Sequence, residues 1–581
     1  MKQDRQKFIR ILSYFRPFLG RVILCAALAL LVNAAELAAP YLMKVAIDDY
    51  IVAGKTNFNI TGLALLYLGS VTAGSFCLYS HTYLLNSTVQ RIMHNIRVEL
   101  FAHIQRMPLR FFDTTSSGRI LTRATNDVEA LNEMYSGVLV AFFKDVLMLV
   151  GIVVVMLRLH LQLALVSFAV IPVIVLITFF YNKYARRNYR RVRHLIAQIN
   201  GFFAENISGM KLVQIFHRER EKYREFESLN RDYNQASIFE VRLMAFFKPS
   251  AELINNLGIA LLIVYCTPGI FGGVLEIGLL YAFITYIKRF FEPIQDLADK
   301  YNVILSGSIA AERIFEIMDN REGLEDLGAG RPLPSVRGGI EFRHVWFSYN
   351  NRDWVLRDVS FTVEPGRTVA FVGATGSGKS TIISLIGRFY EIQRGEILLD
   401  GVNIREYRLG DLRHRIAVVM QDVFLFSGDI ASNIRLNNAD RSDAAVRAAA
   451  ESVNAAEFIA GLPGGYAEEV KERGATLSSG QRQLLSFARA VVFDPAILVL
   501  DEATANIDTE TEQVIQQSLA KVSRDRTTLV IAHRLSTIRN ADQIIVIHKG
   551  RIRETGRHEE LLRQGGIYKN LYEMQYCGMT S

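Results

Sequence analysis

Cysteine is scarce in this sequence and poorly placed for chemistry. Cys25, Cys77, Cys266 and Cys577 show no metal-ligand spacing, and three of them lie in apolar stretches. They read as buried thiols, which excludes a disulfide framework and assigns no redox role. A cleavable leader is not expected either. Met1 to Gly20 is charged and aromatic, and the apolar run from Val22 to Met43 is longer than a leader's and has no clear small-residue cleavage site. The stretch Arg5 to Phe15 instead reads as an interfacial amphipathic helix leading into a retained first span. Charge balance is missing too, with a formal net charge of +8. Half of the residues are hydrophobic beside 21% charged ones, so the chain reads as a greasy part joined to a soluble part. In that setting the cations belong to cytoplasmic loops, and no nucleic-acid partner is expected.

The chain has 581 residues, too many for one core, so at least two domains are expected. A membrane helix needs about 20 mostly apolar residues. Stretches near 21–47, 61–86, 135–158, 161–182, 245–271 and 277–305 qualify. The links after the first, third and fifth are short and carry few cations (Lys55, Arg158). Those after the second and fourth are long and basic, with Arg91, Arg97, Arg106, Arg110, Arg119 and Arg123 in one and Lys183, Arg186, Arg187, Arg190, Arg191 and Arg193 in the other. The positive-inside rule puts both long loops and both chain ends in the cytoplasm. Apolar residues recur at helical spacing within them (Ile92, Ile96, Leu100; Ile196, Ile199, Phe203). The loops therefore read as helices continued out of the membrane, each with a break, at Pro108 to Ser117 and at Ile207 to Gly209, suited to touching a soluble domain.

Beyond Gly307 the composition changes. Gly323 to Gly339 is rich in Gly and Pro and reads as a linker. Short β-branched runs then alternate with helical patterns: Thr368 to Val372, Ile397 to Leu399, Ile416 to Met420, Ile497 to Leu500, Thr527 to Ile531 and Gln543 to Ile547. That alternation indicates an α/β domain on a largely parallel sheet. The expected architecture is a six-helix, all-α transmembrane domain fused to an α/β P-loop NTPase domain. Its parts are an N-terminal helix (1–20), the membrane domain (21–320), a linker (321–339) and the nucleotide-binding domain (340–581).

Gly373, Ala374, Thr375, Gly376, Ser377, Gly378, Lys379 and Ser380 match G-x-x-x-x-G-K-[ST], between a strand and a helix starting near Thr381. Backbone N–H groups of such a loop wrap phosphates, the lysine reaches the β- and γ-phosphates, and the serine hydroxyl serves Mg²⁺. The apolar run Ile497 to Leu500 ends in Asp501 and Glu502. Asp501 fits as a holder of Mg²⁺ through water, and Glu502 as the general base for the attacking water. Either carboxylate alone would pass for a helix cap, but the pairing with a phosphate loop points to ATP hydrolysis.

With these motifs in place, the whole chain resembles an ABC exporter half-transporter. Leu477 to Gln481 (L-S-S-G-Q) is similar to the family's L-S-G-G-Q signature and opens a helix, physically an anion site. The resemblance implies that Ser478, Ser479, Gly480 and Gln481 contact the γ-phosphate of ATP held by an opposite subunit, so the working unit is a dimer. It further implies that Tyr349 stacks on adenine, that Gln421 senses Mg²⁺ and the attacking water, that Asp508 is the D-loop aspartate, and that His533 is the switch histidine. Glu472 to Gly474 resembles a coupling loop. Phe111 to Asp113 with Gly118, and Glu205 to Gly209, resemble the two intracellular loops of exporters, the second of which docks on the opposite subunit's ATPase domain.

Two positions depart from the family pattern: Ser479 replaces a glycine, and Lys471 stands where glycine is frequent. With Glu502 intact, an altered signature resembles the consensus half of bacterial heterodimeric multidrug exporters, MdlB-like, whose partner is catalytically degenerate. That implies ATP-driven export of amphipathic, drug-like or lipid-like compounds across a bacterial inner membrane. A lipid or lipopeptide flippase, a homodimer and, more remotely, a nucleotide-gated channel are the alternatives. Ionisable residues within spans are costly and mark cavities or partners. Glu36 with Asn33, Lys144 with Asp145, and Glu252 with Asn255 and Asn256 are the candidates. If acids line a cavity, an amphipathic cation would suit it, with Phe283 and Tyr286 stacking on it.

Overall fold

The computed structural model describes residues 9–52, 60–321, 330–333, 335–501, 509–531 and 538–574. The chain forms two compact units: one of residues up to Gln105 and from Ser117 to Asn320, the other of Arg106–Ser116 with Arg321 onward.

The first unit is helical. Its long elements are α1 (Leu19–Val45), α2 (Ile60–Gln105), α4 (Val140–Leu159), α5 (Leu161–Phe168), α6 (Ile171–Ser208), α8 (Glu219–Phe271) and α9 (Ile277–Asp319), with short α7 (Met210–Ile215) between α6 and α8. Among the described residues, Ile9–Val52, Ile60–Gln105, Leu161–Ser208 and Glu219–Phe271 are long and apolar enough to cross a membrane. The other two expected stretches are also helical, in α4 and the first part of α9, and include Lys144, Asp145 and Arg158 in one and Lys288, Arg289 and Glu292 in the other. Helix α6 ends at Gly209, the break expected in the second loop, and α7 follows directly. Residues before Ile9 lie outside the described ones. The helical turn from Ile9 is tied into the unit rather than standing free: Arg10 pairs with Asp319 and lies 4.2 Å from the centre of the Phe315 ring, and buried Tyr135 donates to the Ile11 carbonyl at 2.6 Å.

The second unit begins with α3 (Leu109–Thr114), where extended Pro108 and Thr115 punctuate the first loop as its proline suggested. Its main sheet has six strands in the order β12 (Arg551–Gly556), β11 (Gln543–His548), β3 (Thr368–Val372), β10 (Thr527–Ile531), β9 (Ile497–Asp501), β6 (Ile416–Val419). All are parallel except the antiparallel edge strand β12. Burial on both faces explains their continuous apolar runs; every residue of β10 is buried.

A second, four-stranded sheet orders β2 (Leu356–Val363), β1 (Ile340–Phe347), β4 (Arg394–Leu399) and β5 (Val402–Asn403), antiparallel throughout. The run Ile397 to Leu399, expected in the parallel sheet, belongs here because it pairs with β1. A small ribbon of β7 (Gly428–Asp429) and β8 (Glu469–Val470) completes the set.

Residue alternation divides the core. Val369 and Phe371 of β3 face the antiparallel sheet and α10 (Lys379–Ile386). Ala370 and Val372 face α11 (Ile430–Arg435), α12 (Asp443–Ser452) and α13 (Ser479–Val492). The described end of the expected linker is bound to this unit: Leu333 N–H donates to Asp411, and the N–H groups of Arg337 and Gly339 donate to Asp400.

Candidate functional site

The phosphate loop leaves the C-terminal end of β3, and α10 begins at Lys379. Gly378 caps that helix with φ +108°, in the left-handed region open to glycine, and a Cβ there would stand 2.7 Å from Leu356. At Gly373 a Cβ would lie 2.2 Å from the Ile547 carbonyl oxygen. The loop therefore needs its glycines both to turn and to lie against the neighbouring strand.

Lys379 is buried, and its ammonium donates to the carbonyls of Gly373 at 2.7 Å and Ala374 at 3.1 Å. Burial pushes its pKa below the ordinary lysine value, with Asp501 pulling the other way. The buried Ser377 hydroxyl has no hydrogen-bond partner, and an orphaned buried donor inside a glycine-built cradle suits a phosphate oxygen. Ser380 is exposed in the first turn of α10. Asp501 ends β9 level with Ile531 of β10, which in turn is level with Phe371 of β3. The carboxylate thus shares the sheet edge from which the loop departs, where a Mg²⁺ between Asp501 and Ser380 would be held. Gln421 is exposed two residues past β6, the strand beside β9.

Tyr349 is 41% exposed, and its hydroxyl lies 3.1 Å from that of Thr381, in the first turn of α10. A ring fixed against the phosphate-binding helix yet open on one side can take a base by stacking. Glu502, Asp508 and His533 lie outside the described residues.

The signature serine Ser478 caps α13: its hydroxyl accepts from Gln481 N–H at 3.2 Å, and the Gln481 side chain accepts from Ser478 N–H at 2.9 Å. Ser479 is the first residue of that helix, and Gly480 is buried beneath it. The first helical position does not call for glycine, so the serine imposes no backbone strain. Helix α13 packs on the opposite face of the main sheet from α10. Arg473, in the expected coupling loop, takes φ +56°.

Three features escaped the sequence reading. Arg489 of α13 donates to the carbonyls of Phe424 and Asn433, both at 3.0 Å, and burial lowers its pKa. Asn433 in turn brackets Phe426 with two 2.8 Å bonds. The segment after Gln421 is thereby fixed to the signature helix, with Phe424 and Phe426 exposed and their rings 5.1 Å apart. In addition, the Tyr390 hydroxyl donates to the Asp113 carboxylate. No local signal announces a pair separated by 277 positions, although Asp113 was singled out within its motif.

The third feature is charge pairing in the helical unit. Glu36 pairs with Lys144 at 3.2 Å, Arg289 donates to the Glu36 carbonyl at 2.5 Å, and Asp145 pairs with Lys300 at 2.7 Å. Asn33 donates to the Lys144 carbonyl at 3.0 Å, leaving its own buried oxygen without a partner. Glu36 therefore has a cation already. Tyr286 and Phe283 are fully buried, with the Tyr286 hydroxyl donating to Leu37 at 2.7 Å. In this arrangement neither ring is open to stack on a cargo.

Comparison with known proteins agrees with this anatomy. Residues 22–294 match the family described as ABC transporter transmembrane region, and residues 356–505 match the family described as ABC transporter. A probable multidrug resistance ABC transporter ATP-binding/permease protein of Bacillus subtilis (strain 168), YheH, is 41% identical over 89% of this chain and 77% of its own. The ATP-dependent lipid A-core flippase of Haemophilus influenzae (strain 86-028NP) is 36% identical over 99% of this chain and 98% of its own. Among solved structures, a bacterial Atm1-family ABC exporter with ATP bound superposes with a TM-score of 0.79 at 30% identity, covering 96% of this chain and 98% of that one.

Proposed function

The chain belongs to the ABC exporters as a half-transporter, with a membrane-spanning region and an ATP-hydrolysing domain on one polypeptide, and from that premise we propose that it moves amphipathic compounds outward across a bacterial inner membrane by alternating access. The observation that carries this reading is the glycine-built cradle of residues 373–380 on the sheet edge that also holds Asp501, in a chain with long apolar helices. The basic long loops orient the ATPase domain and both chain ends to the cytoplasm.

In this reading the N–H groups of Gly373 to Ser380 and the Lys379 ammonium hold the phosphates, with Thr381 closing the first turn. Ser380, Gln421 and, through water, Asp501 would hold Mg²⁺, which would neutralise charge on the transferring phosphoryl group. Glu502 takes a proton from the attacking water, His533 orients that step, Asp508 lines the subunit junction, and Tyr349 stacks on the base. As in the exporters it resembles, residues 478–481 serve the nucleotide of a second subunit, a reading supported by α10 and α13 lying on opposite faces of one sheet. Two subunits then close on two nucleotides, and cargo moves because its affinity differs between the two states.

A relative named as a lipid A-core flippase and another named for multidrug resistance support drug-like or lipid-like cargo. The pairing of Glu36 with Lys144 argues for amphipathic character over cation selection.

The partner is a second half-transporter, and we favour a different chain with a degenerate catalytic site. Ser479 is unstrained where it stands, so this preference rests on the hydroxyl it adds beside the partner's phosphates rather than on backbone distortion. Purification of this subunit alone tests it: the expected product lacks cargo-stimulated ATPase activity until a partner is supplied, and a self-dimer with stimulated hydrolysis would overturn the heterodimer. Vesicle uptake across a panel of dyes, lipids and peptides tests the cargo class, with ATP-dependent uptake of amphipathic members expected.

A further inference from the structure

Tyr390 lies in the turn after α10, the helix whose N-terminus carries the phosphate loop. Its ring stands edge-on to Tyr349, with centroids 5.0 Å apart and planes at 88°. It also leans on Phe347, 5.9 Å away. Its hydroxyl donates to Asp113 on α3, and the chain at both ends of that segment runs on into helices of the other unit. Burial and the Asp113 carboxylate both hold the phenol pKa well above its ordinary value, so the donor keeps its proton.

The turn itself is braced. Glu391 accepts from Arg388 and from Arg405, both at 2.7 Å, and Arg405 also donates to the Ile392 carbonyl at 2.7 Å. A braced ring in edge contact with Tyr349 responds to what happens on the open face of Tyr349, because close-packed rings cannot yield independently.

We propose that Tyr390 is a positioning residue that makes engagement of the Leu109–Thr114 helix depend on the base stacked at Tyr349. The inference rests on the reading of Tyr349 as the base-stacking ring. A purine covers more of that ring than a pyrimidine does, so the two kinds of nucleotide fill the same phosphate loop and differ in what reaches α3. Asp113 receives the signal as a hydrogen bond that is either kept or broken, the two-state element such coupling needs.

Amide hydrogen exchange on the full-length protein in nanodiscs, with whatever partner it assembles with, tests this without knowledge of the cargo. A saturating non-hydrolysable ATP analogue is expected to slow exchange about fivefold or more in two segments, 373–381 and 106–116. The matching UTP analogue at saturation is expected to protect only 373–381. With the ATP analogue, Tyr390→Phe and Asp113→Ala are each expected to protect only 373–381, and the double variant is expected to match either single one. Retained protection of 106–116 in Tyr390→Phe, or equal protection of 106–116 by both nucleotides, overturns the inference while the ATP site stands. Absence of protection at 373–381 overturns the site assignment itself, and the two failures are thereby distinguished.

Discussion

The two long loops reach the same kind of turning point and end differently. In the first, α3 belongs to the compact ATPase unit and is held there through Asp113 and Tyr390. In the second, α7 belongs to the helical unit and leaves Leu212, Ile215 and Phe216 each more than half exposed. Apolar side chains at the tip of a charged loop are costly to leave in water; the first tip is tied to its own ATPase unit by one hydrogen bond yet leaves Leu109 and Phe112 39% and 40% exposed, and the second is more exposed still. This chain also carries an exposed aromatic pair, Phe424 and Phe426, beside Gln421 and braced from behind by Arg489 and Asn433. The contrast teaches that two loop tips of the same kind can differ in how firmly their own chain holds them.

The contrast has meaning only if ATP turnover drives it, so the largest effect comes from removing the engine. Glu502→Gln is expected to lower hydrolysis by about a hundredfold or more while nucleotide binding persists, checked by phosphate release and equilibrium binding. Breaking the second tip with Leu212→Asp and Phe216→Asp together is expected to cut cargo-stimulated ATPase by about tenfold, with basal binding of ATP kept. Phe424→Ala with Phe426→Ala tests the surface offered in return. If this chain pairs with itself, combining these changes with the loop changes is expected to fall short of additivity, because each set removes the same contact. The smallest effect is expected for Ser479→Gly, within about threefold in turnover, because removing the hydroxyl cannot restore hydrolysis at a site whose partner lacks its general base. A much larger gain in the assembled transporter would show that its hydroxyl disables the second site.

The phosphate loop of the candidate ATP site was legible because its parts are contiguous. The run from Gly373 to Ser380 needs only its own strand and helix to become a cradle, and Asp501 needs only the apolar run before it. The antiparallel sheet was harder. Its first two strands carry polar residues on the face away from the core, as in Arg357, Asp358 and Ser360 of β2, and Ile397 to Leu399 looks locally like a parallel strand until β1 is seen beside it. The polar residues of the membrane part were visible, and their pairing was not. Nothing near Glu36 in the chain says that Lys144, 108 positions away, neutralises it.

By itself the sequence determined that this is an ATP-hydrolysing membrane protein with long apolar helices ahead of a P-loop domain, since periodicity, hydropathy and short motifs are local properties of the chain. Tertiary structure decided which sheet face each anion-ready helix covers, which charges cancel inside the helical unit, and which loop tip its own ATPase unit claims. Those outcomes depend on contacts between residues a hundred or more positions apart, and such pairings are set by packing and strand order, which leave no period in the sequence to read.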